Sequence, residues 1–398
     1  MTGNSLQQLI GSCKLDVFLR EHWEREFLFL DKFGVEVSDV LDISDIDFVL
    51  SRQAISYPFI RLVKHGKEIP LADYLRKPFD AEFRLIDSDK VLSFYSDGAT
   101  VILQRAHLWI EKLAAFTDKL QKDLHFPVNC NVYITPSQSK GFEPHFDTHD
   151  VFILQIDGEK VWNLYNTPTP LPLETESLTK ERSGDYLKEK PTHELTLQEG
   201  NLLYVPRGLV HDTFTRSKRS IHVTLGIFPP RGVDLFKAIT TAASKLEFFK
   251  KSIARGVENK EMLMDFSKSL SGEFLGVIKQ FTDTEITTFI ATSFIGVPAQ
   301  DNHGRFQDIL LLESIKPETQ VYRRERISFI ISKSPGKLAL AFYDKTIVFP
   351  DYVYESITFI LSHSSFAVKE IAGCLNVDAK LVLVRKLVKE GFLALSDF

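Results

Sequence analysis

The chain predicts an α+β protein with a β-jelly roll at its centre, on three observations. From Asn131 to Phe228 the apolar residues alternate with period two in eight short runs. Glycine turn signals, Gly158 and Glu199-Gly200, separate several of these runs. On both sides of the block the period changes to that of amphipathic helices.

In chain order, Leu6, Leu9, Ile10, Leu15, Phe18, Leu19, Trp23 and Phe27 recur at roughly helical spacing and lead into an extended Phe27–Leu30. Trp23 belongs in the core on this reading. Residues 57–70 read as a strand with a turn at His65-Gly66-Lys67. From Val101 to Leu124 the pattern is helical, with Leu103, Ala106, Leu113, Ala114, Phe116 and Leu120 as core positions. The eight strands are NVYIT, HFD, VFILQI, KVWNLY, HELTL, NLLYV, HDTF and SIHVTLGIF, with Gly158 as the turn between the third and fourth. Eight such strands make a jelly roll of cupin type. Residues 166–191, polar and dotted with proline, form a surface excursion placed to act as a lid over the barrel mouth.

After Pro229-Pro230 the sequence turns helical, with runs over 233–253, 261–283 and near Glu285–Ile295 that would form a bundle. The last part is mixed: a hairpin around Tyr343-Asp344-Lys345, helices near Tyr352–Leu361 and Phe366–Gly373, then a third helix ending in FLAL. That order matches a winged helix. The expected domains are 1–230 (helices over 1–125, barrel over about 126–230), 231–312 (helical) and 313–398 (winged-helix-like). Internal repeats and low-complexity tracts are absent from the sequence.

Composition removes several function classes. The net charge of -5 gives no general attraction to nucleic acid or anionic membranes. Cys13, Cys130 and Cys374 are scattered, without a CxxC pair, so neither a disulfide framework nor a cysteine zinc site is expected. Neither a secretory signal nor an apolar run near the ~20 residues of a membrane span is evident, and a cytoplasmic protein is expected.

His145 and Asp147 stand two apart in a short extended run, so their side chains share a face. His211 lies far downstream in GNLLYVPRGLVHDTF, three residues after a Pro206-Arg207-Gly208 turn able to aim it inward. Two imidazoles and a carboxylate on one side of a metal are the facial triad of non-haem Fe(II) oxygenases. With eleven histidines in the chain, the same residues serve equally well as ordinary hydrogen-bonded strand residues. Lys160, after Gly158, is a compact point charge able to hold a carboxylate; by pattern alone a solvated strand residue is the favoured reading. Asn131 and Tyr133 share a face upstream and could hydrogen-bond an organic acid.

The strings GFEPHFDTHDVFILQIDGEKVWNLY, LQEGNLLYVPRGLVHDTF and SIHVTLGIF resemble the JmjC-type ribosomal oxygenases, 2-oxoglutarate- and Fe(II)-dependent protein hydroxylases of the cupin superfamily. The likeness extends more loosely to both ends, in the family order of catalytic barrel, helical dimerisation region and C-terminal winged helix. It implies that His145, Asp147 and His211 ligate Fe(II), and that Lys160 binds the distal carboxylate of 2-oxoglutarate with Asn131 and Tyr133 lining the pocket. Thr135, Ser220 and Thr224 are further pocket candidates. It also implies O2 as co-substrate, oxidative decarboxylation of 2-oxoglutarate to succinate and CO2, hydroxylation of a protein side chain, and a homodimer. Family members acting on arginine tend to carry arginine at the Lys160 position and those acting on histidine lysine, which leaves arginine and histidine both open.

Residues 313–398 hold twelve Lys+Arg against ten Asp+Glu, and Glu325 interrupts the Arg323, Arg324, Arg326 cluster. A basic DNA-reading face is not expected there; protein docking or a structural role is. The function expected is hydroxylation of arginine or histidine in a ribosomal or other protein. The alternatives are the same chemistry on a biosynthetic peptide or free amino acid, lysine demethylation, or a non-catalytic barrel.

Overall fold

The computed structural model describes residues 5–396 apart from 52–54, 77–82, 125, 245, 253–259, 281–301, 303, 325–326, 328 and 344. The chain divides into two compact units, Met1–Phe228 and Pro229–Phe398.

In the first unit, β1 (Leu28–Leu30), β2 (Ile60–Lys64), β3 (Lys67–Glu68), β4 (Thr100–Leu103), β5 (Val128–Thr135), β6 (Asp150–Leu164), β7 (His193–Gln198), β8 (Leu202–Val205), β9 (His211–Phe214) and β10 (Ser220–Ile227) make one antiparallel ten-stranded sheet. The organising strand is β6. Its first half pairs with β8 and β10, and its second half with β7 and β9. The two strands expected on either side of Gly158 are therefore one. Gly158 has φ +69, and a Cβ there would sit 1.9 Å from the Arg219 carbonyl oxygen. Only glycine admits that approach, so the residue lets β6 bend against its neighbour without closing a hairpin.

A second departure is Thr100–Leu103. Expected from Val101 on to open a helix, it is β4, buried throughout and paired with β2 and β5. Its β-branched Thr-Val-Ile run suits a central strand, and burial between two partners overrides the helical spacing. The helix itself is Glu111–Leu124, burying Leu113, Thr117, Leu120 and Gln121. The run HFD is not a strand; His145 makes a single bridge to His211. Trp23 joins the main core, its ring stacked near Phe126 and Tyr204 at 6.2 Å from each.

In the second unit, helices Gly232–Ala243 and Lys260–Gln280 pack through Ile239, Ala243 and Val277. The helix expected near Glu285–Ile295 lies outside the described residues. Strands β12 (Phe329–Ser334), β13 (Lys337–Phe342) and β14 (Lys345–Pro350) form a meander, and β11 (Gln320–Arg323) pairs with β15 (Ser365–Ala367) and β16 (Leu393–Ala394). Where a helix was expected over Phe366–Gly373, β15 runs into a single 3-10 turn, Val368–Glu370. The last helix, Val377–Glu390, is capped by the Asn376 side chain accepting from the Ala379 N–H and stops at Gly391, φ +82. Arg324 is buried and paired with buried Asp308 at 2.7 Å, so its charge is consumed internally. No described helix is long and apolar enough to cross a membrane.

Candidate metal centre

The forked pairing of β6 brings side chains of both ladders into one cavity. Val63 of β2, Thr100 of β4, Tyr133 of β5, Val151, Ile153, Lys160 and Trp162 of β6, His211 and Thr213 of β9, and His222 and Thr224 of β10 line it. His145 and Asp147, with Gly141 and Phe142, complete the wall.

His145, Asp147 and His211 each offer one ligand atom, and these atoms lie within 4.8 Å of one another. The backbone sets this convergence. His145 N–H donates to His211 O (3.1 Å) and His211 N–H to His145 O (2.8 Å), so the two histidines are direct cross-strand partners. The Pro206-Arg207-Gly208 turn holds the third residue, because Gly208, at φ +88, donates its N–H to Asp147 O at 3.0 Å. Behind the turn, Arg207 pairs with Glu24 at 2.7 Å, and the Tyr204 hydroxyl donates to Asp150 at 2.6 Å.

The donor set fits a divalent metal. His145 Nδ1 donates to Glu143 O at 2.9 Å and His211 Nδ1 to Leu209 O at 3.0 Å, which leaves each Nε2 as the available lone pair. His211 Nε2 stands 3.8 Å from Asp147 Oδ2. Burial, with His145 adding to it, pushes the His211 imidazole down to about 4 against the pull of Asp147, so it is neutral at neutral pH. Burial pushes the Asp147 carboxyl up, but His145, His211 and His149 together hold it below the usual carboxylate value. Neutral imidazoles and an ionised carboxylate are the forms that bind metal.

Lys160 lies in the same cavity, 2 % exposed, although a lysine is rarely buried without a partner charge. Among the described residues its one hydrogen-bond partner is Thr135 Oγ1 at 3.1 Å, which also accepts from Thr100 at 3.3 Å. Burial pushes the ammonium down to about 7. An anion in the cavity would supply the missing counter-charge. Tyr133 faces the cavity, its hydroxyl pushed up to about 12 by burial. Asn131 shares its strand face but does not line the cavity; its Oδ1 accepts the Arg105 N–H at 3.0 Å. Thr224 lines the cavity, whereas Ser220 accepts from Gln155 Nε2 at 2.9 Å. Sequence reading passed over His222 and Trp162. The signal was there for His222, since it shares a strand face with Ser220 and Thr224.

The 166–191 excursion packs behind the ligands. Phe146 and Val210, which alternate with the ligand residues, point away from the metal side and join Tyr165, Tyr186 and Leu178 in a small apolar cluster. Ser183 donates to Pro144 O at 2.7 Å, and Arg207 Nη1 reaches the Pro172 carbonyl at 3.3 Å. The expected lid is thus a brace in this structure. A larger open cleft of about 820 Å³, bordered by Asp31, Glu36, Asp42, Asp157 and Glu199, contains neither histidine nor cysteine among its lining residues.

Residues 105–235 match the JmjC domain family. The bifunctional lysine-specific demethylase and histidyl-hydroxylase NO66 of Drosophila pseudoobscura pseudoobscura is 30% identical over 227 residues, covering 56% of this chain and 23% of that protein. The protein of the same name from Culex quinquefasciatus is 29% identical, over 54% of this chain and 33% of its own length. The chain thus spans about a quarter to a third of these relatives. Among solved structures, the ribosomal oxygenase YcfD of Escherichia coli aligns over 97% of this chain and 99% of its own, with TM-score 0.55 and 14% identity. A YcfD structure in complex with cobalt and 2-oxoglutarate aligns over 96% and 98%, with TM-score 0.55 and 13% identity. At that identity the likeness is one of fold.

Proposed function

From the match of residues 105–235 to the JmjC domain family, we propose that the chain is a 2-oxoglutarate- and Fe(II)-dependent oxygenase hydroxylating an arginine or histidine side chain of a protein, with a ribosomal protein as the substrate class. One observation carries this reading: a His-Asp-His donor set shares its cavity with a buried lysine that has no counter-charge among the described residues. The relatives' names, a histidyl-hydroxylase and a ribosomal oxygenase, support the choice of reaction and substrate.

On this reading His145, Asp147 and His211 hold Fe(II), which when bound supplies the activation of O2 that couples 2-oxoglutarate oxidation to C–H hydroxylation. The Lys160 ammonium receives the distal carboxylate, where burial removes competition from water. Tyr133 and Trp162 wall the cavity and narrow the space open to the co-substrate. The carbonyls of Glu143 and Leu209 keep both imidazoles in one tautomer and orientation.

For the second unit we propose a homodimer surface within 231–312 and a winged-helix-like docking module over 313–398. Phe236, Met262, Met264 and Leu275 stay exposed on the two described helices, which supports the first assignment. Mass spectrometry of the host proteome with and without the protein tests the function. A protein substrate that gains one oxygen at arginine or histidine, only when the chain is present, is expected. Loss of methyl groups from lysine instead would replace hydroxylation by demethylation.

A further inference from the structure

His222 is a histidine that the proposed site does not yet use. It is 2 % exposed, and its Nδ1 is buried without a hydrogen-bond partner among the described residues. The strand pairing places it opposite Tyr133 on β5 and Gln155 on β6, where the register of β10 against β6 shifts. The shift falls between Ile221 and His222. The imidazole lies flat against the Tyr133 ring, with centroids 4.8 Å apart and planes 3° from parallel, and the edge of Trp162 closes a second side at 5.6 Å. Two aromatic walls hold the ring in place and offer it no acceptor. A buried polar side chain is normally satisfied. Here the ring borders the cavity shared with Lys160; burial, with the Lys160 ammonium adding to it, disfavours a second charge and keeps the imidazole neutral. A neutral imidazole still carries one N–H donor.

We infer that His222 is a second recognition group for the distal carboxylate of the co-substrate, giving it one neutral hydrogen bond beside the charged one from Lys160. The inference rests on the 2-oxoglutarate reading above and deepens it. It makes the buried end of the cavity a two-point site, selective for 2-oxo acids that carry a second carboxylate. The division of labour follows from the chemistry of the two groups. Lysine provides charge with little directionality, and the clamped imidazole provides direction without a second charge to desolvate.

Calorimetric titration of the Mn(II)-loaded full chain with 2-oxoglutarate, succinate and pyruvate tests it, for wild type, His222→Phe and His222→Asn. Phenylalanine keeps the stacking on Tyr133 and removes both nitrogens. His222→Phe is expected to weaken 2-oxoglutarate and succinate about tenfold or more, the loss of one hydrogen bond to a charged group, and to leave pyruvate and Mn(II) binding unchanged. His222→Asn, which keeps a polar group near Nδ1, recovers part of the loss. Wild-type affinity for 2-oxoglutarate in His222→Phe, or an equal loss for all three acids, overturns the inference and leaves the oxygenase reading standing. A wild-type protein that binds none of the acids overturns both.

Discussion

Lys160 shows how one residue ties stability to function. Burial pushes its ammonium down to about 7, against about 10.4 for a free lysine. Between those pH values the unfolded chain holds the extra proton, so the ligand-free protein gains stability from this group as pH rises from 7 towards 10. Anion binding needs the protonated form. The affinity for 2-oxoglutarate is therefore expected to fall as pH rises above 7, and a pH series of calorimetric titrations checks it; a flat profile from pH 6.5 to 9 would move the anchor elsewhere. Lys160→Met removes the buried charge at similar volume. It should stabilise the ligand-free protein by about 1–4 kcal/mol in denaturant melts while raising the 2-oxoglutarate requirement at least tenfold. At this scale the ligand spacing was legible in the sequence, because an alternating run places His145 and Asp147 on one face whatever the tertiary context. The stacking of His222 on Tyr133 and the orientation of Asn131 were not, since each depends on which strand lies alongside.

At the scale of elements, the sequence's period-two runs apart from HFD lie in strands around the cavity, but where strands end was less readable. A glycine between two apolar runs normally marks a turn; at Gly158 it marks a close approach to Arg219 within one long strand. Sequence does not carry that distinction, because the reason lies in a residue on β10's approach rather than in the local pattern. Gly158→Ala meets both a positive φ and a backbone clash, and should destabilise the chain by roughly 3 kcal/mol in chemical unfolding. The 166–191 brace gives a second expectation. Tyr186→Ala empties the cluster behind Phe146 and Val210 and should weaken Mn(II) binding, whereas Tyr186→Phe keeps the ring and the affinity. Equal metal affinity in the two variants would show that the brace does not hold the ligands.

At the scale of the molecule, the change of period near Pro229 coincides with the boundary between the two compact units, Met1–Phe228 and Pro229–Phe398. A shift from alternating to helical spacing is visible in sequence because each period reflects which faces are buried. How the second unit is used was less legible: its charge balance argues against a nucleic-acid face, and the burial of Arg324 against Asp308 takes one further cation off the surface. Light-scattering mass of the purified chain at micromolar concentration is expected to give twice the chain mass, and a monomer would withdraw the dimer proposal. The central claim is more direct, that three side chains and a buried lysine make this an Fe(II)- and 2-oxoglutarate-dependent oxygenase. The measurement that bears on it most closely is succinate formation from 2-oxoglutarate by the purified chain with Fe(II) and O2, compared with His145→Ala. Succinate from the wild type and none above background from the variant is the predicted result; equal turnover in both, or turnover that survives removal of the metal, would contradict it.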